Sequence, residues 1–408
     1  MKSPWLHCLA CEAEHPLAEL YRCPACGGEL QIVYDTVGLR KSGALARTWR
    51  LPGSIWQRFS ALLPQQDAGR IVSLGEGSTP LVPSERLAAR LGVKAAYLKL
   101  ESSNPTGSFK DRQISIAMSK AREWGRTGFG TASSGNVGVA LAAYAARAGL
   151  KAQVWVSASV AAAKRQQIQV YGARLFLTPE NTPEHTLANQ AFFNGMQAFC
   201  IEQGLVPMVS ARPVNPYMVE GGKTIAFEVA AELAQMPDRF FAPVGGGGCM
   251  GGCWKGFMEL HEAGLTEGLP KLEGAQMVKG HVPVDRMDDP AFSGPEFFRP
   301  LDGHWAWQAI QATGGSLRPI SAQETQAAQA DLAAQEGVFA EPQGVTAYAG
   351  LLKAAQEGAL RSDETVVCVI TGAGLKDMDA ARMICEEAGY FTPRPVRTLA
   401  ESVPDLVL

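Results

Sequence analysis

Lys110 is the residue of this 408-residue chain whose setting most favours covalent chemistry. It lies in the segment Glu101-Ser-Ser-Asn-Pro-Thr-Gly-Ser-Phe-Lys110-Asp-Arg112, which follows a strand-like run and leads into a helical one. A helix dipole disfavours a cation at the helix N-terminus, and the same field lowers the pKa of a lysine amine there. Because a neutral amine attacks aldehydes, the sequence predicts a Schiff-base lysine, with an ordinary exposed loop lysine as the alternative.

A second loop has the composition of an anion-binding turn. Ser133, Ser134 and Asn136 lie in Ala132-Ser-Ser-Gly-Asn136, between a strand-like and a helical segment. Hydroxyl and amide groups, together with the backbone N–H groups of a helix N-terminus, form a cradle that fits a substrate carboxylate. The same residue types are common helix caps, so a purely structural role is the alternative.

A third loop is built almost entirely of glycine. Pro243-Val-Gly245-Gly246-Gly247-Gly248 joins a buried strand-like run to a helical one. Consecutive glycines are unfavourable in backbone entropy, and they are expected where backbone N–H groups must wrap a phosphate. No Gly-Lys-Ser/Thr follows, and the spacing is not that of a dinucleotide-binding fingerprint. The sequence therefore predicts a phosphate cradle here, with a flexible hinge as the alternative.

The three loops together fit one cofactor. A lysine for an aldehyde, a carboxylate cradle and a phosphate cradle are the requirements of an enzyme that uses pyridoxal 5'-phosphate. Thr371 follows the apolar run Thr365-Val-Val-Cys-Val-Ile370, so it is expected at the end of a buried strand. A neutral hydroxyl opposite the pyridine nitrogen leaves that nitrogen unprotonated, which favours elimination and replacement over transamination.

Four of the nine cysteines form two Cys-x-x-Cys pairs near the N-terminus. Cys8 and Cys11 are separated by eleven residues from Cys23 and Cys26. Two such pairs can place four thiolates around one tetrahedral zinc ion, so the sequence predicts a small structural zinc ribbon. A redox pair or a coincidence is the alternative.

The elements that must position these loops alternate along the chain. From about residue 71, strand-like runs such as Ala95–Leu100 and Gln153–Val156 alternate with helical runs such as Val137–Ala148. Strands that alternate with helices of this length indicate βαβ units and parallel sheets. We therefore expect an α/β protein with doubly wound sheets.

Composition excludes several other classes of function. Hydrophobic residues make up 46% and charged residues 19%, which is typical of a globular protein, and the net charge of −3 argues against broad binding to nucleic acid or an anionic membrane. No apolar run approaches a membrane span, and the N-terminal residues lack the apolar core of a signal peptide. We therefore expect a cytoplasmic enzyme, and the predicted cofactor and carboxylate cradle imply a small amino-acid substrate.

Five segments carry a specific resemblance, which covers roughly residues 70–385. They are Asn104-Pro-Thr-Gly-Ser-Phe-Lys-Asp-Arg112, Ala132-Ser-Ser-Gly-Asn136, Glu220-Gly-Gly-Lys-Thr224, Glu336-Gly-Val-Phe-Ala-Glu-Pro342 and Thr371-Gly-Ala-Gly-Leu-Lys-Asp377. In this order they resemble the tryptophan-synthase-β-like family of pyridoxal-phosphate enzymes (fold type II), and within it the threonine synthases. The resemblance implies a two-domain α/β fold and the conversion of O-phosphohomoserine to threonine. A cysteine-rich head also occurs in that family.

The resemblance also implies a role for each loop. Lys110 would hold the cofactor covalently, Asn136 would bond its ring hydroxyl, and Thr371 its pyridine nitrogen. The cofactor phosphate would lie on Gly245, Gly246, Gly247 and Gly248. The substrate carboxylate would lie on Ser133 and Ser134.

The chain departs from the threonine-synthase pattern around one Asn-Pro motif. Where the family places a serine and an arginine on the substrate phosphate, this chain has Pro213 and Met218, and Val137 replaces a threonine that helps direct the reaction. Arg212 could compensate from a different place. These departures favour a second hypothesis, β-elimination or β-replacement on another amino acid (a dehydratase, ammonia-lyase or cysteate-synthase-like enzyme). A third is a non-catalytic protein whose ribbon binds a partner.

We expect five regions along the chain and a homodimer. Residues 1–37 are assigned to the zinc-ribbon-like unit and residues 38–70 to a connecting arm. Residues 71–100 and 220–390 are assigned to a large cofactor-binding domain. Residues 101–219 are assigned to a small α/β domain, and residues 391–408 to a surface tail.

Overall fold

The computed structural model describes residues 2–133, 135–180, 186–233, 235–278, 280–292 and 297–387. Ser134 and the tail 391–408 therefore lie outside the described residues. The strands are β1 (Trp5–Cys8), β2 (Glu14–Pro16), β3 (Leu30–Val33), β4 (Leu81–Pro83), β5 (Ala95–Leu100), β6 (Gly128–Ser133), β7 (Lys151–Ser157), β8 (Arg174–Thr178), β9 (Val206–Pro207), β10 (Arg239–Pro243), β11 (Lys271–Met277), β12 (Leu317–Ile320) and β13 (Thr365–Ile370).

The helices alternate with these strands from β5 onward. They are α1 (Thr36–Ser42), α2 (Ile55–Phe59), α3 (Glu85–Leu91), α4 (Lys110–Glu123), α5 (Asn136–Ala148), α6 (Ala162–Val170), α7 (Thr186–Glu202), α8 (Pro216–Leu233), α9 (Gly248–Glu262), α10 (Gly303–Ala312), α11 (Ala322–Glu336), α12 (Pro342–Gln356) and α13 (Met378–Glu387). Within the described residues, no helix is both long enough and apolar enough to span a membrane.

The larger sheet has six strands in the order β12-β11-β10-β13-β5-β4. All neighbours are parallel except β4, which pairs antiparallel to β5. Strand β13 is buried along its whole length. Its residues alternate between two cores: Cys368 packs with α3, α11 and α12, whereas Val367 packs with α8, α9 and α10. Helices thus cover both faces, as the continuous apolar run predicts for a doubly wound sheet.

The smaller sheet has four parallel strands in the order β8-β7-β6-β9. Alternate residues of β7 again face different layers, with Val154 and Val156 in the largest core cluster and Trp155 among aromatic side chains of the opposite face. Helix α5 connects β6 to β7 and ends at Gly149, whose φ of 67° is a left-handed conformation. The glycine supplies this helix stop without strain, as the sequence pattern predicts.

The N-terminal segment forms a third, small sheet. Strand β1 pairs antiparallel with both β2 and β3, giving the order β2-β1-β3. The residues that follow, through about residue 70, contain α1, α2 and short 3₁₀ turns. Trp49, Ile55 and Phe59 of this arm are buried in the same core cluster as α4, α5 and α8. The arm therefore packs into the protein body.

Candidate active site

Lys110 is the first residue of α4 and lies at the mouth of that helix, as predicted. Its Nζ donates to Ser210 Oγ at 2.7 Å and to Gln113 Oε1 at 3.3 Å, and it lies 4.2 Å from the centre of the Phe109 ring. Burial lowers the pKa of the amine from 10.5 to about 8, although Cys249 and Asp302 oppose that shift. At neutral pH the neutral, nucleophilic amine is then far more abundant than for an ordinary lysine.

Ser210 and Gln113 hold the lysine side chain. Ser210 Oγ donates to Gln113 Oε1 at 2.5 Å while it accepts from Lys110, so the three side chains form a closed set of hydrogen bonds. Gln113 Nε2 is buried and has no partner within the described part of the chain. Sequence reasoning did not identify Ser210, because nothing in its local sequence marks it as a neighbour of Lys110.

Thr371 lies directly after β13, at the same sheet edge as Lys110. Its carbonyl oxygen accepts from the backbone N–H of Phe109 at 3.2 Å, and its own backbone N–H donates to the Gly344 carbonyl at 3.2 Å. Ser108 pairs with Gly372 in an isolated antiparallel bridge. The loop that carries the lysine and the end of β13 are therefore joined through their backbones.

Asn136 begins α5, and its amide pairs with a carboxylate that is distant in sequence. Asn136 Nδ2 donates to Glu341 Oε1, and Lys164 Nζ lies 2.7 Å from Glu341 Oε2. All three side chains are buried. Asn136 Oδ1 is buried and has no hydrogen-bond partner among the residues described. A buried, unpartnered acceptor indicates a missing donor, and the ring hydroxyl of a cofactor is one that fits.

Ser133 acts as a cap of α5 in this structure. Its Oγ accepts from the backbone N–H groups of Gly135 at 3.0 Å and of Gly138 at 3.3 Å. The hydroxyl therefore lies at the positive end of the helix, where a carboxylate is also favoured. Ser134, the second predicted carboxylate ligand, is outside the described residues.

The glycine loop leaves an open space before α9. A Cβ atom added at Gly245 or Gly246 would meet no atom within 4 Å. Gly247 has a φ of 95° and Gly248 begins the helix, so the chain turns sharply and directs N–H groups at the helix mouth. This geometry fits the predicted phosphate cradle.

Asp302 is a buried carboxylate next to the cradle that the sequence did not single out. A Cβ atom at Gly248 would lie 2.8 Å from Asp302 Oδ2, and the Asp302 backbone N–H donates to the Gly246 carbonyl at 2.8 Å. The two carboxylate oxygens accept from the backbone N–H of Arg212 at 3.0 and 3.2 Å. Burial raises the pKa of Asp302 from 3.8 to about 7.

Met218, which marks a departure from the family pattern, and Arg212, the residue that could compensate for it, both make contacts within the protein. The Arg212 guanidinium pairs with Glu29 at 3.0 Å through Nη2 and lies 4.4 Å from the Trp305 ring centre. Met218 has 0% exposure and belongs to the largest apolar cluster. Neither side chain is a free donor for a substrate phosphate.

The residues present fit pyridoxal phosphate. Lys110 supplies an amine for the cofactor aldehyde. Asn136 supplies an unpartnered acceptor for the ring hydroxyl, and the open glycine loop supplies N–H groups for the phosphate. Thr371 is buried at the end of β13. Its Oγ1 lies 3.5 Å from the Gln343 carbonyl oxygen, which is too long for a strong hydrogen bond, so the hydroxyl is available to a cofactor. Lys110 and Thr371 meet at one edge of the larger sheet, and Asn136, which follows β6 of the smaller sheet, is linked to that edge through Glu341.

The four N-terminal cysteines converge as the spacing predicts. Their Sγ atoms all lie within 4.8 Å of one another, and Cys8 and Cys26 are 3.5 Å apart. Gly27 adopts a φ of 72° in the turn after Cys26. Four thiols at this separation form a donor set that fits a tetrahedral zinc ion.

Comparison with known proteins supports the same cofactor. A family model described as "Pyridoxal-phosphate dependent enzyme" matches residues 72–372. The chain is 35% identical to a threonine synthase of Methanocaldococcus jannaschii over 93% of this chain and 95% of that protein. It is 36% identical to a threonine synthase of Methanosarcina acetivorans over 94% of each.

Solved structures support the fold. The chain is similar to O-ureido-L-serine synthase with a TM-score of 0.60 and 20% identity, over 78% of this chain and 95% of that one. A threonine deaminase from Solanum lycopersicum matches with a TM-score of 0.60 and 22% identity, over 77% of this chain and 84% of that one. Together with the family match and the threonine-synthase relatives, these likenesses show that the chain belongs to the fold type II family of pyridoxal-phosphate dependent enzymes.

Proposed function

We propose that this enzyme is a threonine synthase, which converts O-phosphohomoserine to threonine by elimination of phosphate and addition of water. The observation that carries the proposal is that the relatives named threonine synthase extend over nearly the whole chain at 35–36% identity. The five motifs that resemble threonine synthases lie between residues 104 and 377, and the match to the pyridoxal-phosphate family covers residues 72–372. Phe109, next to Lys110, donates its backbone N–H to the Thr371 carbonyl. Asn136 is linked to the same segment through Glu341, whose backbone N–H donates to the Gly372 carbonyl.

Each site residue has a proposed task. Lys110 holds the cofactor and then carries the proton that moves between substrate carbons, a task suited to an amine whose pKa is about 8. Asn136 orients the cofactor ring through its unpartnered oxygen. The N–H groups of Gly245, Gly246, Gly247 and Gly248 bind the cofactor phosphate.

The remaining residues control the reaction type. Pyridoxal phosphate, when bound, supplies an electron sink for carbanion chemistry at the amino acid. Thr371 offers a neutral hydroxyl to the ring nitrogen, which moderates that sink and favours elimination and replacement. Ser133 and Ser134 bind the substrate carboxylate at the N-terminus of α5, where the helix dipole favours an anion.

A second reaction is favoured by one specific observation. The guanidinium of Arg212 is paired with Glu29, and Pro213 and Met218 offer no donor to a phosphate. A phosphate dianion in a partly desolvated site needs charge-assisted hydrogen bonds. The second candidate is therefore β-elimination or β-replacement on an amino acid with a smaller or differently charged leaving group.

One experiment separates the two candidates. The measurement is kcat/KM of the purified enzyme for O-phosphohomoserine beside O-phosphoserine, serine, threonine and cysteate. A threonine synthase prefers O-phosphohomoserine by orders of magnitude and releases threonine and phosphate. If another of these amino acids is preferred, the second candidate replaces the first. If none reacts while the cofactor is bound, both candidates are wrong.

The first step of the assignment has its own test. Borohydride reduction followed by peptide mapping should place the pyridoxyl adduct on Lys110. A variant Lys110→Ala should lose the yellow chromophore and turnover together. An adduct on Lys99 or Lys223, each buried and ion-paired with glutamate, would contradict the assignment.

The proposal extends to the organisation of the chain. It assigns residues 1–37 to a zinc ribbon that binds one structural zinc ion through Cys8, Cys11, Cys23 and Cys26, whose converging thiols support it. It assigns residues 71–100 and 220–390 to a large domain and residues 101–219 to a small one, which the separate six- and four-stranded sheets support.

The proposal also includes a homodimer in the cytoplasm. None of the nine cysteines is in a disulfide, and a zinc site of reduced thiols fits a reducing compartment. Analytical ultracentrifugation of the cofactor-loaded enzyme tests the dimer, and localisation of a tagged chain in the cell tests the compartment.

A further inference from the structure

We propose that Glu29 and Arg212 are a positioning pair through which the four-cysteine unit fixes the active-site loop that holds Lys110. The four-cysteine unit is residues 5–33, which contain β1, β2, β3 and the cysteines. The active-site loop is residues 208–214, between β9 and α8. The inference rests on the proposed function, because it requires that Lys110 carries the cofactor.

Glu29 is anchored to the cysteine turns by its backbone. It follows Cys26 by three residues, and its carbonyl oxygen accepts from the backbone N–H of Leu9, next to Cys8, at 2.9 Å. Its carboxylate points away from the four-cysteine unit toward Arg212. Glu29 Oε2 accepts a hydrogen bond from Arg212 Nε at 3.1 Å and lies 3.0 Å from Arg212 Nη2. The cysteine unit thus reaches the active-site loop through one side chain.

Arg212 is held on its other sides by residues near the phosphate cradle. Its guanidinium lies over the ring of Trp305 on α10. Its backbone N–H donates to the carboxylate of Asp302, and the Asp302 backbone N–H donates to the carbonyl of Gly246. The guanidinium side chain is only 11% exposed. A displacement of Arg212 would therefore also move Asp302, which is hydrogen-bonded to the glycine loop of the phosphate cradle.

The same loop reaches the lysine two residues earlier. Ser210 Oγ accepts from Lys110 Nζ at 2.7 Å. The loop is tightly turned, because the Asn215 backbone N–H donates to the Ala211 carbonyl at 2.9 Å and the Asn215 side chain donates to the Pro207 carbonyl at 2.8 Å. In such a turn Arg212 and Ser210 cannot move independently. The Glu29–Arg212 pair therefore sets the position of the Lys110 acceptor.

The pair also matters through its charge. Glu29 neutralises the mostly buried guanidinium of Arg212, whose backbone N–H donates to Asp302 and whose loop also carries Ser210, the acceptor of Lys110. Well above the Asp302 pKa of about 7, where that carboxylate is charged with or without Glu29, the unpaired positive charge disfavours the protonated form of the lysine-bound cofactor. The yellow chromophore should then titrate at a lower pH. An exposed ion pair that served only stability would leave this titration unchanged.

The test compares two variants of the cofactor-loaded enzyme. Glu29→Gln removes the carboxylate of the proposed pair. Glu19→Gln is the matched control. Glu19 also joins the four-cysteine unit to the protein body, because its carboxylate pairs with Arg126 at 2.7 Å, but Arg126 does not belong to the active-site loop. For both variants we would measure the absorbance titration of the bound cofactor, its dissociation constant, the zinc content and the melting temperature.

We expect Glu29→Gln to lower the chromophore titration by at least about half a pH unit and to weaken cofactor binding by about three- to ten-fold. Glu19→Gln should leave both values as in the wild type. Glu29→Asp, which keeps the charge on a shorter side chain, should recover much of the titration shift. If Glu29→Gln does not fold, Glu29→Asp is compared with the wild type alone: its shorter side chain should still weaken cofactor binding measurably, and an unchanged dissociation constant would overturn the inference.

Three outcomes separate the hypotheses. Equal titrations and cofactor affinities in Glu29→Gln, Glu29→Asp and Glu19→Gln would overturn the positioning pair while leaving the proposed function intact. A loss of zinc and of thermal stability without a titration shift would reduce Glu29 to a structural role and overturn the inference as well. A wild-type enzyme without an adduct on Lys110 would instead overturn the proposed function and the inference that rests on it.

Discussion

Lys110 Nζ and Ser210 Oγ are 2.7 Å apart, and this hydrogen bond joins two segments separated by 100 residues. The lysine comes from the N-terminus of α4, beyond the larger sheet, and the serine follows β9 of the smaller sheet. The bond therefore crosses between the two sheets at the site. It holds the amine in one orientation, which reduces the ordering that cofactor binding must achieve.

The first prediction concerns the pH dependence of cofactor attachment. Burial lowers the pKa of Lys110 to about 8, and only the neutral amine attacks the aldehyde. The rate of pyridoxal-phosphate incorporation into the cofactor-free enzyme should therefore rise with pH and level off above a midpoint near 8. Stopped-flow absorbance measures this rate. Lys110→Ala is the control and should show no fast phase, and a midpoint near the ordinary lysine value of 10.5 would contradict the prediction.

The second prediction concerns Ser210. Its hydroxyl oxygen accepts from the lysine and so favours the charged amine. Ser210→Ala should move the midpoint of cofactor attachment down by about one pH unit, because a hydrogen bond to a charged group contributes about 1.5–3 kcal/mol. Ser119→Ala is a matched control: this buried serine accepts from the Val72 backbone N–H and has no contact with the lysine. An equal shift in both variants would show a general loss of stability.

Local sequence predicts the strands and the loops that follow them. The run Thr365–Ile370 is strand β13 and Ala95–Leu100 is strand β5, with the same bounds as the apolar pattern indicates. These elements follow from short-range periodicity and from glycine stops. For the same reason the sequence places Lys110 and Asn136 correctly at helix N-termini.

The contacts between distant segments could not be predicted in this way. Glu341 meets Asn136 across 205 residues, and Glu29 meets Arg212 across 183. Such pairs depend on how separate units pack, which no local pattern encodes. Arg212 illustrates the consequence: its sequence position left open a role on the substrate phosphate, whereas the structure pairs its guanidinium with a carboxylate.

The third prediction concerns the buried pair of Lys164 and Glu341. Lys164 Nζ lies 2.7 Å from the Glu341 carboxylate, which is only 1% exposed, so its removal leaves a buried carboxylate without its direct ion-pair partner. Lys164→Met should lower the free energy of unfolding by about 3–5 kcal/mol. Urea unfolding measures this change. The double variant Lys164→Met/Glu341→Gln should recover part of the loss, and strictly additive effects would show that the two side chains do not interact.

The fourth prediction concerns the metal. If the four-cysteine unit binds zinc, metal analysis of the purified chain should return about one zinc ion per chain. Cys8→Ser should lower both the zinc content and the melting temperature, because metal binding contributes to folding. Cys385→Ser is the control, since this exposed cysteine lies on α13, apart from the cluster. Full zinc retention in Cys8→Ser would contradict the assignment.

The fifth prediction concerns the carboxylate beside the phosphate cradle. Burial raises the pKa of Asp302 to about 7, so the group is mostly neutral at pH 6 and mostly charged at pH 8.5. A charged carboxylate beside Gly248 repels a cofactor phosphate in the cradle, whereas a neutral one does not. Asp302→Asn should therefore bind the cofactor more tightly than the wild type at pH 8.5, and equally well at pH 6.

Comparison of the two proteins at each pH removes the titration of the phosphate, which affects both alike. It shows the full effect of the Asp302 charge, which repels the phosphate and also favours the charged form of Lys110. At an effective dielectric constant of about 20, charges several ångströms apart interact by about 1–2 kcal/mol after screening. The ratio of wild-type to variant dissociation constants should then rise from about one at pH 6 to roughly five- to thirty-fold at pH 8.5. Arg212 can still donate its backbone N–H to the asparagine oxygen, so the loop should keep its position. A ratio that stays flat with pH would show that Asp302 remains neutral or that its charge does not reach the cofactor.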